Sequence, residues 1–179
     1  MTSRVSQRGF TIVELLIVIV IIGILASITV VAYNGVRDRA HASQTLSSVD
    51  AWEKLIKTYK ATSSDGKYPA VSVETCLGEN FPADSDFPVN QCVTSPSGTD
   101  SVDPSLMAKL KTVTSSLPAG PTPIIVSGTT KVRGIVYMPV GNGVDYIIAY
   151  YLRGDQACGR GSKAYMSAQN LTACMVTLL

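Results

Sequence analysis

One apolar stretch near the N-terminus constrains this chain more than any other feature of its sequence. Residues 10–36 contain a single charged side chain, Glu14. A helix of that length is long enough to cross a hydrocarbon core of roughly 30 Å. Arg4 and Arg8 precede the stretch, and such positive charges keep the adjoining end of a helix in the cytoplasm. The sequence therefore predicts one membrane-spanning helix with a cytoplasmic N-terminus.

The residues that flank this stretch differ from those of an ordinary secretory signal. Such a signal has a shorter apolar region that is followed by a small-residue cleavage site. Here the small residue, Gly9, comes before the apolar stretch, and a helical pattern follows it. Cleavage after Gly9 would therefore leave the membrane segment on the mature protein.

Glu14 is the second unusual feature of the N-terminal region. A carboxylate inside a membrane span is costly unless it is neutralised or paired, so such a residue is a functional candidate. The alternative is that Glu14 lies at the level of the lipid headgroups, where ionisation costs little. The isolated sequence leaves both interpretations open.

A known processing motif matches residues 9–26, which have the sequence Gly-Phe-Thr-Ile-Val-Glu-Leu-Leu-Ile-Val-Ile-Val-Ile-Ile-Gly-Ile-Leu-Ala. This segment resembles the N-terminus of type IV prepilins, and the resemblance continues through Tyr33. It includes a basic leader, a Gly-Phe junction, a glutamate as the fifth residue after the junction, and an uninterrupted apolar helix. Many pilins have a proline where this chain has Val31, so the resemblance does not extend to local unwinding of the helix.

The resemblance implies a set of processing and assembly residues. A membrane prepilin peptidase is expected to cleave between Gly9 and Phe10 and to N-methylate Phe10. Glu14 is expected to pair with the α-amine of a neighbouring subunit's Phe10 when a helical homo-oligomeric filament assembles. Two opposite charges in an apolar filament core are tolerable when they are paired.

The rest of the chain is predicted to form a stem and a head. The predicted domains are a leader (1–9), a transmembrane assembly helix (10–36), an amphipathic stem of the same helix (37–62) and an extracytoplasmic head (63–179). The stem carries apolar and small residues at spacings of three or four, which is typical of one helix face. These residues are Val36, Ala40, Ser43, Leu46, Val49, Trp52, Ile56 and Tyr59.

The head is predicted to have an α+β fold, in which the long helix packs on an antiparallel sheet. Residues 66–102 are expected to be irregular because four prolines interrupt them. Asp103 is expected to cap a helix that reaches Leu117. Four strands are expected at 132–138, 144–152, 164–168 and 172–178, with a hairpin turn at 139–143 and a second turn near Asn170.

The four cysteines favour disulfides rather than a metal site. Their count is even, none lies in a C-x-x-C motif, and the single histidine is distant in sequence. Four cysteines allow three pairings, and four free buried thiols are a further alternative. Cys76–Cys92 and Cys158–Cys174 are favoured because both close short local loops. Each is expected to contribute roughly 3 kcal/mol to stability. The segment between Cys158 and Cys174 also resembles the disulfide-bounded loop that many pilins carry on the filament surface.

The charges of the head are unevenly distributed. Residues 74–103 carry six acidic side chains and no basic ones, whereas residues 131–179 carry five basic and two acidic side chains. One hypothesis is that these stretches meet between neighbouring heads in an open helical assembly. The alternative is that both stretches are solvated faces.

Catalytic, metal and nucleic-acid sites are weakly indicated. A Ser/His/Asp arrangement would have to use His41, which is expected to be a solvated helix residue. Loop carboxylates lack the ligand spacing of an EF-hand, so solvated carboxylates are favoured over calcium ligands. DNA binding by basic residues near Tyr137, Tyr150, Tyr151 and Tyr165 is a minor alternative, because strand tyrosines more often lie in a sheet. No catalytic residue, metal ligand or cofactor is predicted.

Three function classes follow from the sequence. The favoured class is a pilin of an extracellular type IV pilus-like filament that serves adhesion, motility or DNA uptake. The expected partners are the membrane, the prepilin peptidase, the pilus assembly machinery and further copies of the chain. The chain would be a single-pass protein of the cytoplasmic membrane before assembly and part of a surface filament afterwards. The alternatives are a pseudopilin of a type II secretion system and a membrane-anchored binding domain that does not polymerise.

Overall fold

The structure is a computed structural model that describes residues 11–119, 125–141 and 145–179. The leader and the predicted cleavage pair, Gly9 and Phe10, lie outside the described residues, as do residues 142 and 143 of the predicted hairpin turn at 139–143. The chain divides into two compact units, of which the first ends at Ala40 and the second comprises His41–Leu179.

Helix α1 comprises Ile12–Thr62 and is unbroken through Val31. Its end is fixed by short-range bonds in which the amide of Ser63 donates to Tyr59 O (2.8 Å) and the hydroxyl of Ser63 donates to Lys60 O (3.0 Å). The predicted end near Thr62 is therefore confirmed.

A second helix, α2, comprises Pro104–Leu110. The side chain of Asp103 accepts a hydrogen bond from the amide of Ser105 at 2.8 Å, as predicted for an N-cap. The prediction that this helix reaches Leu117 is wrong. Thr112 donates both its amide (3.1 Å) and its hydroxyl (2.7 Å) to Lys109 O, and this tight turn closes the helix early.

The described residues contain nine strands, which form one sheet in the order β4-β5-β2-β3-β1-β6-β7-β9-β8. Their bounds are β1 Thr75–Leu77, β2 Gln91–Ser95, β3 Gly98–Val102, β4 Ile125–Ser127, β5 Thr130–Val132, β6 Ile135–Val140, β7 Asp145–Arg153, β8 Ser162–Met166 and β9 Leu171–Leu178. The pairing is antiparallel apart from β1 with β3, which is parallel. The predicted α+β class is confirmed, with a sheet that is mostly antiparallel.

The strand predictions hold best for the C-terminal half. The hairpin of β6 with β7 and the pair of β8 with β9 agree with the prediction, and Asn170 adopts a left-handed turn with φ of 45°. The expectation that residues 66–102 are irregular is wrong, because they contain β1, β2 and β3. The hairpin of β4 with β5 was also not predicted. These strands are three to five residues long, too short for an alternating pattern to be visible in the sequence.

Alternating strand residues build an apolar cluster on each face of the sheet. The inner cluster joins Trp52 and Ile56 of α1 to Ile148 and Tyr150 of β7, whereas Ala149 of β7 belongs to the outer cluster. Fully burying one large apolar side chain contributes about 1.5–3 kcal/mol. The predicted stem stripe is confirmed from Leu46 to Tyr59, but its first three members, Val36, Ala40 and Ser43, are exposed.

Candidate assembly site

The beginning of α1 is held by reciprocal hydrogen bonds between Thr11 and Glu14. The amide of Glu14 donates to Thr11 Oγ1 at 3.2 Å. In return, the amide and the hydroxyl of Thr11 donate to Glu14 Oε2 at 3.0 and 2.8 Å. This arrangement is a capping box, in which a Thr-x-x-Glu sequence satisfies two free backbone donors at a helix start. Sequence reasoning singled out Glu14 and missed Thr11, although the Thr-x-x-Glu spacing was a usable signal.

The apolar side chains that follow Glu14, up to Thr29, are exposed within the part of the chain that the structure describes. Residues Ile12–Thr29 have a mean hydropathy of 2.9, and none of them is buried. Their large side chains are between 48% and 85% exposed. Soluble monomers rarely expose contiguous apolar surface on this scale. By length and composition this segment is able to cross a membrane, as the sequence predicted.

The second unit holds its C-terminal disulfide loop against the second half of α1. Nη1 of Arg160 lies 2.7 Å from Asp50 Oδ1 and 2.9 Å from Glu53 Oε2. Glu53 is 5% exposed, and Lys57 lies 2.9 Å from its other oxygen. The hydrogen bond to Asp50 and the charge of Glu53 raise the pKa of Arg160. We call this group the Arg160 cluster.

Two glycines allow that loop to approach its neighbours. A Cβ at Gly159 would lie 2.7 Å from Cδ1 of Leu46 on α1. A Cβ at Gly161 would lie 2.1 Å from the carbonyl oxygen of Met175, and the φ of Gly161 is +80°. Larger residues at these positions would push the loop away from α1 or away from β9.

The disulfide pairing favoured by the sequence is the one in the structure. Cys76 is bonded to Cys92, and Cys158 is bonded to Cys174. Cys76, Cys92 and Cys174 are fully buried, while Cys158 is half-buried. The two bridges therefore differ in their access to solvent.

A buried arginine organises the proline-rich loop before β2. The guanidinium of Arg133 donates to the backbone carbonyls of Pro82, Gln91 and Pro88 at 2.6, 2.7 and 3.0 Å. It also lies 2.8 Å from Asp84 Oδ2 and is 5% exposed. Sequence reasoning missed this role, because the partners of Arg133 are mainly backbone atoms of a segment far away in sequence.

The acidic and basic stretches meet within one chain. Asp84 pairs with Arg133 and Asp86 pairs with Lys131, each at 2.8 Å. Glu79 pairs with Lys111 at 2.6 Å. Three of the six acidic side chains on which the hypothesis of contacts between neighbouring heads depended are therefore paired within the chain.

The remaining candidates are the residues considered for metal binding, catalysis and DNA binding. Within the described part of the chain, no three His, Cys, Asp or Glu residues are grouped as a metal ion would need. His41 is half-buried rather than solvated. Tyr137 and Tyr150 are fully buried, and Tyr151 is half-buried. Most of the tyrosines of the DNA-binding alternative are therefore not presented to a ligand.

Comparison with known proteins identifies the N-terminal region. A family model described as "Prokaryotic N-terminal methylation motif" matches residues 4–30. The chain is 44% identical over 66 residues to a "Type II secretion system core protein G" from Klebsiella michiganensis, which is 37% of this chain and 45% of the relative. It is 42% identical over 65 residues to a "Fimbrial protein" from Moraxella nonliquefaciens, which is 35% of this chain and 42% of the relative.

The matched N-terminal region carries the processing motif shared by type IV pilins and pseudopilins. A further relative that it resembles is the "Type IV major fimbrial protein FimA" of Dichelobacter nodosus, at 38% identity over 61 residues, 34% of this chain and 39% of the relative. The chain thus spans less than half the length of each of these three relatives. No solved structure matches this chain.

Proposed function

We propose that this chain is a structural subunit of a type IV pilus-like filament, which a prepilin peptidase processes and which assembles through the first half of α1. The observation that carries the proposal is an exposed apolar helix, with the Glu14 carboxylate at its beginning, on a chain whose second unit is a disulfide-bonded head. Such a helix needs a membrane before assembly and other helices afterwards. The family is structural, so no enzymatic activity is proposed.

The processing residues remain predictions that follow from the matched motif. Cleavage is proposed between Gly9 and Phe10, with removal of the leader 1–9 and N-methylation of Phe10. The segment 10–36 would be the membrane and assembly helix, 37–62 the stem and 63–179 the extracytoplasmic head. The mature chain would begin one residue before Thr11, so its α-amine would lie next to the capping box.

Glu14 is proposed to act through its negative charge. Among the described residues of the single chain, its carboxylate accepts hydrogen bonds from Thr11 alone, and both donors are uncharged. A neighbour's α-amine would add a charge-assisted bond, which is about twice as strong as a neutral one. Glu14→Gln keeps a hydrogen-bond acceptor and removes the charge. We expect this variant to enter the membrane normally and to lose most filament assembly.

The experiment that tests the proposal is intact mass analysis with N-terminal sequencing of a sheared surface fraction, without reductant. A chain that begins at methylated Phe10 with all four thiols oxidised supports processing and filament membership. A chain that still begins at Met1 and is confined to membranes overturns the proposal and favours an anchored domain. Normal filaments from Glu14→Gln would remove the pairing role alone.

The relatives named as secretion proteins favour a second candidate function. A pseudopilin would form a short periplasmic filament in a type II secretion system, with the same processing at Gly9 and Phe10. The cellular location of the filament separates the two functions. Surface filaments at native expression level favour a pilin, whereas loss of protein secretion without surface filaments favours a pseudopilin.

A further inference from the structure

The lysines of the second unit fall into two groups. The structure pairs Lys57, Lys111, Lys131 and Lys163 with carboxylates. Across the described ranges, it gives no carboxylate partner within 4 Å to four other lysines, which are Lys54, Lys60, Lys67 and Lys109. Ammonium groups that are not held in ion pairs are available to bind an anion.

Three of these four lysines line one cleft, although they come from different parts of the chain. Lys60 lies in the last turn of α1, Lys67 lies in the following loop, and Lys109 lies in the last turn of α2. The cleft has a volume of about 670 Å³. That volume lies in the usual range for small-molecule sites, roughly 300–1,000 Å³. All its lining residues belong to the second unit, so the cleft is complete within that unit.

The walls of the cleft carry aromatic rings. Tyr59, Tyr68 and Tyr146 line it, and Lys60 Nζ lies 4.1 Å from the centre of the Tyr68 ring. Tyr68 and Tyr146 are mostly buried, whereas Tyr59 is half-buried. A tyrosine in the wall of a cleft presents its apolar ring to the C–H groups of a ligand, while its hydroxyl group remains available for a hydrogen bond.

Oxygen acceptors also border the cleft. Asp65 and Asp145 lie on it, and Asp65 Oδ1 accepts a hydrogen bond from the amide of Lys67 at 3.1 Å. This bond lowers the pKa of Asp65, which therefore remains a charged acceptor near neutral pH. A neighbouring cavity of about 390 Å³ shares Tyr59 and Asp65 with the cleft. It adds the hydroxyl groups of Thr62, Ser63 and Ser64.

We propose that this lysine–tyrosine cleft binds a carboxylated oligosaccharide. The ammonium groups bind the sugar carboxylates, Tyr59 packs against a sugar ring, and Asp65 and Asp145 accept hydrogen bonds from sugar hydroxyls. A single-stranded nucleic acid fits less well, because its bases need freely exposed aromatic faces, whereas Tyr68 and Tyr146 are mostly buried. The site does not depend on filament assembly.

The proposal is tested by isothermal titration calorimetry of the full chain in detergent micelles. The probes are trigalacturonate, its fully methyl-esterified form and a short oligothymidylate. We expect saturable binding of trigalacturonate that weakens with added salt, and at least tenfold weaker binding of the neutral ester. Absence of saturable binding, equal binding of the ester, or tighter binding of the oligonucleotide overturns the proposal.

Three lysine variants locate the site. Lys67→Gln is expected to weaken trigalacturonate binding several-fold, and Lys67→Gln combined with Lys109→Gln at least tenfold. Lys54→Gln is the matched control, because Lys54 also lacks a carboxylate partner but lies outside the cleft, and its affinity should stay within twofold. Near-UV circular dichroism verifies folding, and Lys67→Gln alone suffices if the double variant unfolds. An equal loss in Lys54→Gln would show non-specific charge attraction and would overturn the site.

Discussion

The two halves of α1 are similar in secondary structure and opposite in environment. Every described large side chain of Ile12–Ile28 is about half exposed or more, whereas Val49, Trp52 and Ile56 are completely buried. The first segment is apolar around its whole circumference, and the second is apolar on one face. Helical propensity alone therefore says little about stability in this chain. The first half of α1 depends on a membrane or on other helices around it, whereas the second half is stabilised by packing on the sheet of the same chain. The same substitution should therefore change stability differently in the two halves.

The largest effect is expected from removing the central side chain of the buried half. Trp52→Ala leaves a cavity in the inner cluster and should lower the free energy of unfolding of the head by about 3–5 kcal/mol. Urea unfolding of the detergent-solubilised chain, followed by near-UV circular dichroism of the tyrosines, measures the change. The matched variant in the exposed half, Ile19→Ala, should leave that transition within about 0.5 kcal/mol of the parent. A similar loss in both variants would contradict the comparison.

The C-terminal disulfide should contribute the next largest effect. Replacing Cys158 and Cys174 together by alanine removes the bridge that closes the loop against α1. The expected loss is about 3 kcal/mol, mainly because the unfolded chain becomes less constrained. The midpoint of the same urea transition reports it. An unchanged midpoint would mean that the Arg160 cluster and the β8–β9 pairing hold this region without the bridge.

A smaller effect is expected from the charge pairs on the same loop. Arg160→Gln leaves the buried carboxylate of Glu53 with Lys57 as its remaining cation. Because Arg160 is 46% exposed, solvent screening should keep the loss well below that of the disulfide variant. The control is Lys163→Gln, whose partner Asp155 is exposed, and which should change stability by less than about 0.5 kcal/mol. Equal losses would show that the burial of Glu53 has no energetic consequence.

The smallest effect concerns the pH dependence of the head. Burial, together with the charge of Glu74, raises the pKa of Asp100 to about 6. The folded state therefore binds more protons than the unfolded state between pH 3.8, the ordinary pKa of the group, and about pH 6, so this group lowers stability as pH rises through that window. Asp100→Asn should equal the parent near pH 3 and be more stable by about 1 kcal/mol at pH 7, after allowance for solvent screening. Parallel pH profiles for the two chains would contradict the raised pKa.

The parts of this structure that the sequence predicted have strong local signals. The apolar span, the Asp103-Pro104 helix start and the long strands β7 and β9 depend on patterns that extend over neighbouring residues. The stem stripe was placed too early, at Val36, because periodicity shows which face is apolar but not where its partner begins. The short strands β1 to β5 depend on pairing between distant segments. That pairing leaves little trace in three to five residues.

At the candidate sites, too, sequence reasoning found only residues with a strong local signal. Glu14 was found because a charge in an apolar span is conspicuous, and Thr11 was missed because a threonine there is not. The sequence singled out neither Arg133 nor Glu53, whereas the structure buries both. Apart from Lys57, which pairs with Glu53 four residues along α1, their partners are 42 to 107 positions away in the chain, so only the fold brings them together. The three lysines of the cleft come from separate segments, and no sequence pattern singled them out.

The position of β9 in the sheet has a consequence for the order in which the chain acquires its structure. β9 is the last strand in sequence, yet it lies between β7 and β8 and pairs with both. During synthesis the apolar span emerges first and can enter the membrane while residues 171–178 are still being made. The head cannot complete its sheet, or bond Cys174 to Cys158, until those residues have been translocated. Insertion therefore precedes folding, and a truncated head should remain reduced at Cys158, incompletely folded and accessible to proteases.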